Sequence, residues 1–228
     1  PIQNITYVIT PVLHPILSDY QKETDKLATI NERMVRLLAF IGFPLGILLF
    51  FCGRELMLFV FGSQWEPSIP AFQILSLTVG FQIVMSSSGS FFQSTNDTRG
   101  LFICGIFTAV ATCTGFLVCI LFFRTLEAFA YSMLISYFLC FIQCYWQLYH
   151  YQFRRNMLHL YRQLISPLII TLLIGGVLYP LSLCSSDWNI VVSLCVKSLL
   201  ALILWGGYLQ WRKEYDIVAK VRNILHKY

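Results

Sequence analysis

Long apolar runs alternate with short polar segments along most of the chain. A run of about 18 or more apolar residues predicts a membrane-spanning helix, because a helix satisfies its backbone hydrogen bonds internally even in hydrocarbon. The pattern therefore predicts an all-α integral membrane protein, a multi-span helical bundle. Residues 1–17 form the end of one such run, and complete runs follow at 34–53, 68–93, 100–123, 128–149, 163–183 and 188–209.

The composition fits this prediction and narrows the candidate chemistry. Of the 228 residues, 57% are hydrophobic and only 12% are charged. The eight cysteines lie in or beside the apolar runs, with no Cys-x-x-Cys pair and no zinc-like Cys/His spacing. We therefore expect packing cysteines without a disulfide framework, and no metal, cofactor or nucleic-acid partner. The chain starts at Pro1 within a span and shows no signal peptide, so we expect it to be the C-terminal part of a longer protein.

Basic residues accumulate in alternate connections between the predicted spans, whereas the remaining connections hold only Arg54 and Arg124. Because cytoplasmic loops carry an excess of Lys and Arg, the basic connections are predicted to be cytoplasmic. The first of them, with its mixed charge, is predicted to be soluble. The predicted cytoplasmic segments are 18–33, 94–99, 150–162 and the basic tail 212–228.

The third run, 68–93, is predicted to form one long helix with a polar stripe. Gln82, Ser86, Ser90 and Gln93 follow one another at steps of four, four and three, so they share one face of such a helix. In hydrocarbon each of these groups needs a partner or water. The stripe therefore predicts either a wet central cavity or a helix–helix contact held by small polar residues.

Small residues in two other spans predict close helix packing. Gly42 and Gly46 have Gly-x-x-x-Gly spacing around Pro44, which permits close approach with a bend between them. A second seam of small residues runs along the span 100–123. Its members are Gly105, Thr108, Thr112, Gly115 and Cys119.

Two segments resemble a known family. Residues 9–18 read Ile-Thr-Pro-Val-Leu-His-Pro-Ile-Leu-Ser, and residues 61–70 read Phe-Gly-Ser-Gln-Trp-Glu-Pro-Ser-Ile-Pro. They are similar to a helix end and a following knuckle in the polysaccharide exporters of the multidrug/oligosaccharidyl-lipid/polysaccharide (MOP) flippase superfamily, which includes O-antigen flippases. The motif residues with a structural role are Pro11, Pro15, Gly62, Trp65, Pro67 and Pro70.

The resemblance implies the C-terminal half of a fourteen-helix fold. Residues 1–150 would then form part of a transport lobe, helices 8–12, and residues 151–228 would add helices 13 and 14 and the cytoplasmic tail. In that scheme the eighth helix ends in the cytoplasm, as the charge distribution independently predicts. The segment 54–61 is too short to span, and we expect it to lie in the membrane interface with Trp65 at headgroup level.

Three basic residues are candidates for function. His14, between two prolines, is either a proton-responsive group or an interfacial side chain. Lys197 is the charge placed deepest in a span. It either faces a groove for a lipid pyrophosphate or tail, or it snorkels or pairs within the last two helices. Arg99, beside Asp97, either binds a pyrophosphate headgroup or only anchors the topology.

The resemblance implies a non-enzymatic flippase in the bacterial cytoplasmic membrane that moves lipid-linked oligosaccharide by alternating access. Its partners would be a polyprenyl-pyrophosphate oligosaccharide, membrane lipids and the N-terminal lobe of the same protein. The alternatives are a cation-coupled multidrug exporter of the same superfamily and a non-transporting component of polysaccharide assembly. The exporter alternative would need intramembrane carboxylates, and near the spans the sequence indicates only Glu127, Asp97 and Asp187.

Overall fold

The computed structural model describes residues 24–184 and 188–211, and within these ranges it contains helices and turns but no strand. The helices are α1 (Thr24–Phe51), α2 (Gly53–Phe61), α3 (Ile69–Ser76), α4 (Thr78–Met85), α5 (Ser88–Ser94), α6 (Thr98–Val118), α7 (Leu126–Gln147), α8 (Leu158–Cys184) and α9 (Ile190–Trp211). A 3₁₀ turn, Ser63–Ser68, joins α2 to α3. Five helical segments are long and apolar enough to span a membrane, which confirms an all-α, multi-pass architecture.

The predicted single helix over 68–93 is wrong, because the chain breaks into α3, α4 and α5. The two halves of this sixth candidate span, Ser63–Ser76 and Thr78–Ser94, are bent by 43°. Hydroxyl groups next to the breaks donate to backbone carbonyls three or four residues earlier: Ser76 to Phe72 at 2.8 Å and Thr78 to Leu75 at 2.6 Å. Such local bonds compete with the helical ladder and bend helices.

The segment 18–33, predicted to be a soluble connection, is helical in its described part, because α1 already begins at Thr24. Glu32 is buried in this first part of the helix. Arg155, in the connection after α7, pairs with Asp25 at 2.9 Å and with Glu32 at 3.4 Å. The guanidinium therefore fixes the polar start of α1 against the rest of the bundle.

The glycine packing predicted around Pro44 is confirmed. A Cβ atom on Gly46 would lie 2.9 Å from the Ser76 carbonyl oxygen, and one on Gly42 would lie 3.1 Å from the Ile83 Cβ. Only the absence of side chains at these positions lets α1 lie this close to α3 and α4. On the facing helix, Gly80 receives the ring of Phe43 in the same way.

Helix α1 is the centre of the bundle. It packs against α4 on one side and α8 on the other, and α7 packs against α3 and α4. The aromatic residues of α7 fill the space between them: Tyr145 is fully buried and donates a hydrogen bond to the Val84 carbonyl at 3.0 Å. At the other side, Trp205 of α9 donates to the Phe40 carbonyl of α1 at 2.8 Å.

The second predicted seam is only partly a packing seam. Gly105 and Thr108 are exposed on α6, whereas Gly115 sits directly against Ser132 of α7. Both α6 and α7 end in a π-helical turn, Cys119–Phe123 and Leu148–Phe153. Helix α6 contacts α7 at both ends: Cys104 lies 3.3 Å from Gln147 Oε1 near its start, and Gly115 lies against Ser132 in its second half.

The backbone conformation of the knuckle between α2 and α3 accounts for the glycine and the prolines in its sequence. Gly62 has φ +84°, a conformation that L side chains rarely adopt, and its N–H closes α2 by donating to the Leu58 carbonyl at 3.1 Å. Pro67 lies in the 3₁₀ turn and Pro70 opens α3, where a missing N–H costs nothing. Trp65 stays half-exposed against Phe61. The motif residues Pro11 and Pro15, and also His14, lie outside the described residues.

Candidate functional site

Lys197 lies on α9, seven residues after its start, and is 3% exposed. Its ammonium group contacts Glu55 Oε1 and lies 3.3 Å from the Phe51 carbonyl oxygen. An ionisable side chain at such depth in a span needs a partner, and here the partner comes from another part of the bundle. The predicted pairing within the last two helices is wrong, because the partner lies on α2. The role of Lys197 in a substrate groove stays a prediction.

Glu55 is held from two sides. It lies in the first turn of α2, just beyond the end of α1, and Ser193 of α9 donates to the same Oε1 at 2.7 Å. Burial of this carboxyl raises its pKa, but the hydrogen bonds from Lys197 and Ser193 outweigh burial and hold the pKa below its ordinary value. The carboxylate is therefore charged and balances Lys197. Its Oε2 is buried and receives no hydrogen bond from the described residues.

A cleft of about 290 Å³ opens beside this ion pair. It lies where α2, α3 and the facing ends of α8 and α9 meet, so it is on the same side of the bundle as the knuckle. Polar and apolar surface line it in nearly equal shares. The side chains that matter below are Arg54, Glu55, Gln73, Trp188, Ser193 and Lys197.

Sequence reasoning missed Glu55 as a buried carboxylate. Glu55 follows Arg54 in a short segment that the sequence predicts to lie at the membrane interface, and this prediction assigns no partner to either charge. The structure separates them: Arg54 is exposed and lies 3.9 Å from Glu66 of the knuckle, whereas Glu55 points into the bundle. Helical geometry gives a signal, because adjacent residues on a helix face directions about 100° apart.

The four residues of the predicted polar stripe do not share one straight helix. Gln82 donates to Thr78 at 2.8 Å and Ser86 donates to the Ile83 carbonyl at 2.7 Å, so both find partners within their own segment. Ser90 is buried and Gln93 is exposed. The stripe thus satisfies part of its polarity locally. Its contact with a central cavity stays a prediction.

Arg99 is exposed in the first turn of α6. Its neighbour Asp97 caps that helix by accepting from the Gly100 N–H at 2.8 Å, and it also accepts from Gln152 at 2.6 Å. Asp97 therefore has a structural role, and the structure does not bring Arg99 together with Lys197 or the cleft. The substrate role of Arg99 stays a prediction.

Comparison with known proteins adds evidence from outside the chain. A family model described as "Polysaccharide biosynthesis protein" matches residues 1–70. An uncharacterized membrane protein in the cps region of Klebsiella pneumoniae is 28% identical over 90 residues, which are 40% of this chain and 19% of that protein. The teichuronic acid biosynthesis protein TuaB of Bacillus subtilis strain 168 is 22% identical over 197 residues, 83% of this chain and 39% of that protein.

These matches support the resemblance to polysaccharide exporters. The chain spans less than two fifths of the length of both relatives. No solved structure matches it. The family match ends at Pro70, so it includes α1, α2 and the knuckle, and Glu55 lies within it whereas Lys197 lies beyond it.

Proposed function

We propose that this chain is part of a flippase that moves lipid-linked oligosaccharide from the cytoplasmic to the outer leaflet of the bacterial cytoplasmic membrane. The observation that carries the proposal is the family match over residues 1–70 together with a multi-pass helical bundle. The names of the relatives, a teichuronic acid biosynthesis protein and a membrane protein in a cps region, favour a saccharide over other cargo. The protein would be non-enzymatic.

The bent span fits this role. A transporter that alternates between two openings needs helices that can pivot, and interrupted spans are common where transporters bind their substrates. Here α3, α4 and α5 form such an interrupted span, with the residues of the polar stripe on its last two segments. In the proposed flippase Gln82, Ser86, Ser90 and Gln93 abut the path of the saccharide, and a further N-terminal lobe supplies the opposite wall.

The buried carboxylate Glu55 does not favour a cation-coupled multidrug exporter. Such an exporter needs a carboxylate that can exchange a cation, whereas Glu55 already shares its Oε1 with the Lys197 ammonium. A cation that bound the Glu55 carboxylate would lie beside the Lys197 ammonium, and the two positive charges would repel each other. We therefore retain the lipid-linked saccharide as cargo.

The test is a translocation assay with the full-length protein in proteoliposomes that contain a fluorescent polyprenyl-pyrophosphate oligosaccharide. The expected result is protein-dependent loss of outside-accessible label, with no loss for a fluorescent phospholipid that lacks the sugar. Equal movement of both lipids, or movement of neither, would refute the proposed function.

The Arg99 series belongs to the same assay. If Arg99 attracts the pyrophosphate headgroup, translocation falls in the order wild type, Arg99→Lys, Arg99→Ala, Arg99→Glu, because lysine keeps the charge but loses the planar fork. Arg162→Ala, another predicted cytoplasmic arginine, is the matched control. Full translocation by a correctly inserted Arg99→Glu protein would leave Arg99 as a topology determinant only.

A further inference from the structure

The cleft beside Glu55 and Lys197 is unusual for its composition. At about 290 Å³ it is near the lower end of ligand pockets, which range from roughly 300 to 1,000 Å³. Its lining is about half polar, although it lies between apolar helices. A purely structural gap between membrane helices would be apolar, since lipid tails and packed side chains fill it.

The charges around the cleft disfavour an ionic ligand. Glu55 and Lys197 neutralise each other, and Arg54 is held near Glu66 at the exposed rim. A metal cation would meet the Lys197 ammonium beside the carboxylate, and a free phosphate would meet the Glu55 carboxylate. An uncharged ligand avoids both repulsions.

The polar groups of the lining suit a ligand with several hydroxyls. Glu55 and Gln73 supply acceptors, and Arg54 supplies donors at the rim. Among the described residues, Glu55 Oε2 has no donor. A hydroxyl that enters the cleft supplies a donor for this carboxylate.

Trp188 gives the cleft an aromatic wall. It is 43% exposed just before α9, and Leu58 and Ile190 line the same cleft. Indole combines a large flat apolar face with one polar N–H. A sugar ring has the complementary surface, because it carries C–H groups on its faces and hydroxyls around its edge.

We propose that the cleft formed by Arg54, Glu55, Gln73 and Trp188 binds one uncharged sugar residue. The cleft is on the side of the bundle that the distribution of basic residues predicts to be outside. The inference deepens and rests on the proposed function, because the bound sugar would be a unit of the carried saccharide on its release side. The Glu55–Lys197 pair would keep the carboxylate charged and in place as a hydroxyl acceptor.

The test is saturation-transfer NMR and tryptophan fluorescence with the full-length protein in nanodiscs, using methyl glucoside and methyl N-acetylglucosaminide as probes. Wild type is expected to bind at least one glycoside saturably. Trp188→Leu removes the aromatic wall, and the double variant Glu55→Gln/Lys197→Met removes the charged hydroxyl acceptor without changing the net charge. Each variant should weaken binding about tenfold or more. Glu127→Gln, which alters an exposed carboxylate in the first turn of α7 and not in the cleft lining, is the matched control and should bind as wild type does.

The outcomes separate the two proposals. Absence of saturable glycoside binding to wild type, unchanged binding in Trp188→Leu, or competition by inorganic pyrophosphate each overturns the sugar cleft and leaves the translocation assay unaffected. Glycoside binding that needs Trp188, in a protein that fails the translocation assay, supports the cleft and overturns the flippase. If the double variant does not fold, Trp188→Leu decides alone, because this side chain is exposed and its loss does not disturb the core.

Discussion

At the scale of single residues, the pairing of Glu55 with Lys197 is the most consequential contact. Both side chains are almost fully removed from solvent, at 11% and 4% exposure. Desolvating two charges costs several kcal/mol each, and only their mutual attraction and the added bonds from Ser193 and to Phe51 offset it. The contact therefore depends on both partners being present.

Removing one partner should be far worse than removing both. We expect Glu55→Gln or Lys197→Met alone to lower the free energy of unfolding by about 3–5 kcal/mol, because each leaves one buried charge uncompensated. The double variant Glu55→Gln/Lys197→Met should recover most of this loss. Unfolding of the purified protein in detergent, followed by circular dichroism, gives the comparison.

The control for this cycle is Glu66→Gln, which removes an exposed carboxylate 3.9 Å from Arg54. Exposed pairs contribute about 0–1 kcal/mol, so this variant should unfold almost as wild type does. A double variant as unstable as the sum of both single variants would show that the two side chains do not act as a pair.

At the scale of helices, small residues decide how closely the elements approach. Gly42 and Gly46 let α1 contact the backbone of α3 and α4, and the interrupted span bends around this contact. Serine and threonine hydroxyls next to the breaks bond to earlier carbonyls, so polar side chains are satisfied without a partner helix. One residue of the predicted stripe, Ser86, makes such a bond to the Ile83 carbonyl just after α4 ends.

The close approach predicts a difference between two glycines. A methyl group at Gly46 would lie 2.9 Å from a backbone oxygen, whereas Gly176 of α8 has no atom within 4 Å of such a group. Gly46→Ala should therefore destabilise the protein by about 1–3 kcal/mol through overpacking. Gly176→Ala should be neutral or slightly stabilising, because alanine is the better helix former. Thermal unfolding in one detergent measures both, and equal effects would contradict the packing.

At the scale of the whole molecule, the chain is a bundle around α1 whose two ends differ in charge. The end with Arg155 ties the start of α1 to the connection after α7 through Asp25 and Glu32. The other end carries the knuckle and the cleft. The side of the membrane that each end faces remains a prediction from the distribution of basic residues.

Cysteine labelling in intact cells tests that orientation. In a protein whose exposed native cysteines 113, 184 and 195 have been replaced, Glu66→Cys should react with an impermeant maleimide and His159→Cys only after the cells are opened. Both positions are exposed in the structure, so burial does not protect either thiol. Reversed labelling would overturn the predicted membrane topology, and with it the assignment of the cleft to the outside.

The sequence by itself determined the class and the order of the spans. Apolar runs of sufficient length can only be helices in hydrocarbon, so all six complete spans recur in the structure with shifted bounds. The Gly-x-x-x-Gly contact and the glycine of the knuckle were predictable for the same kind of reason. Each follows from local sterics, because only glycine permits so close an approach or, at Gly62, the conformation with φ +84°.

Only the tertiary structure decided which polar groups meet. Glu55 and Lys197 are 142 positions apart, and no periodicity in either segment links them. The break of the third run, the burial of Glu32 and the local bonding of Gln82 likewise depend on neighbours that sequence spacing does not fix. Polar side chains in a membrane must find a partner, but which of several they take is set by how the helices pack.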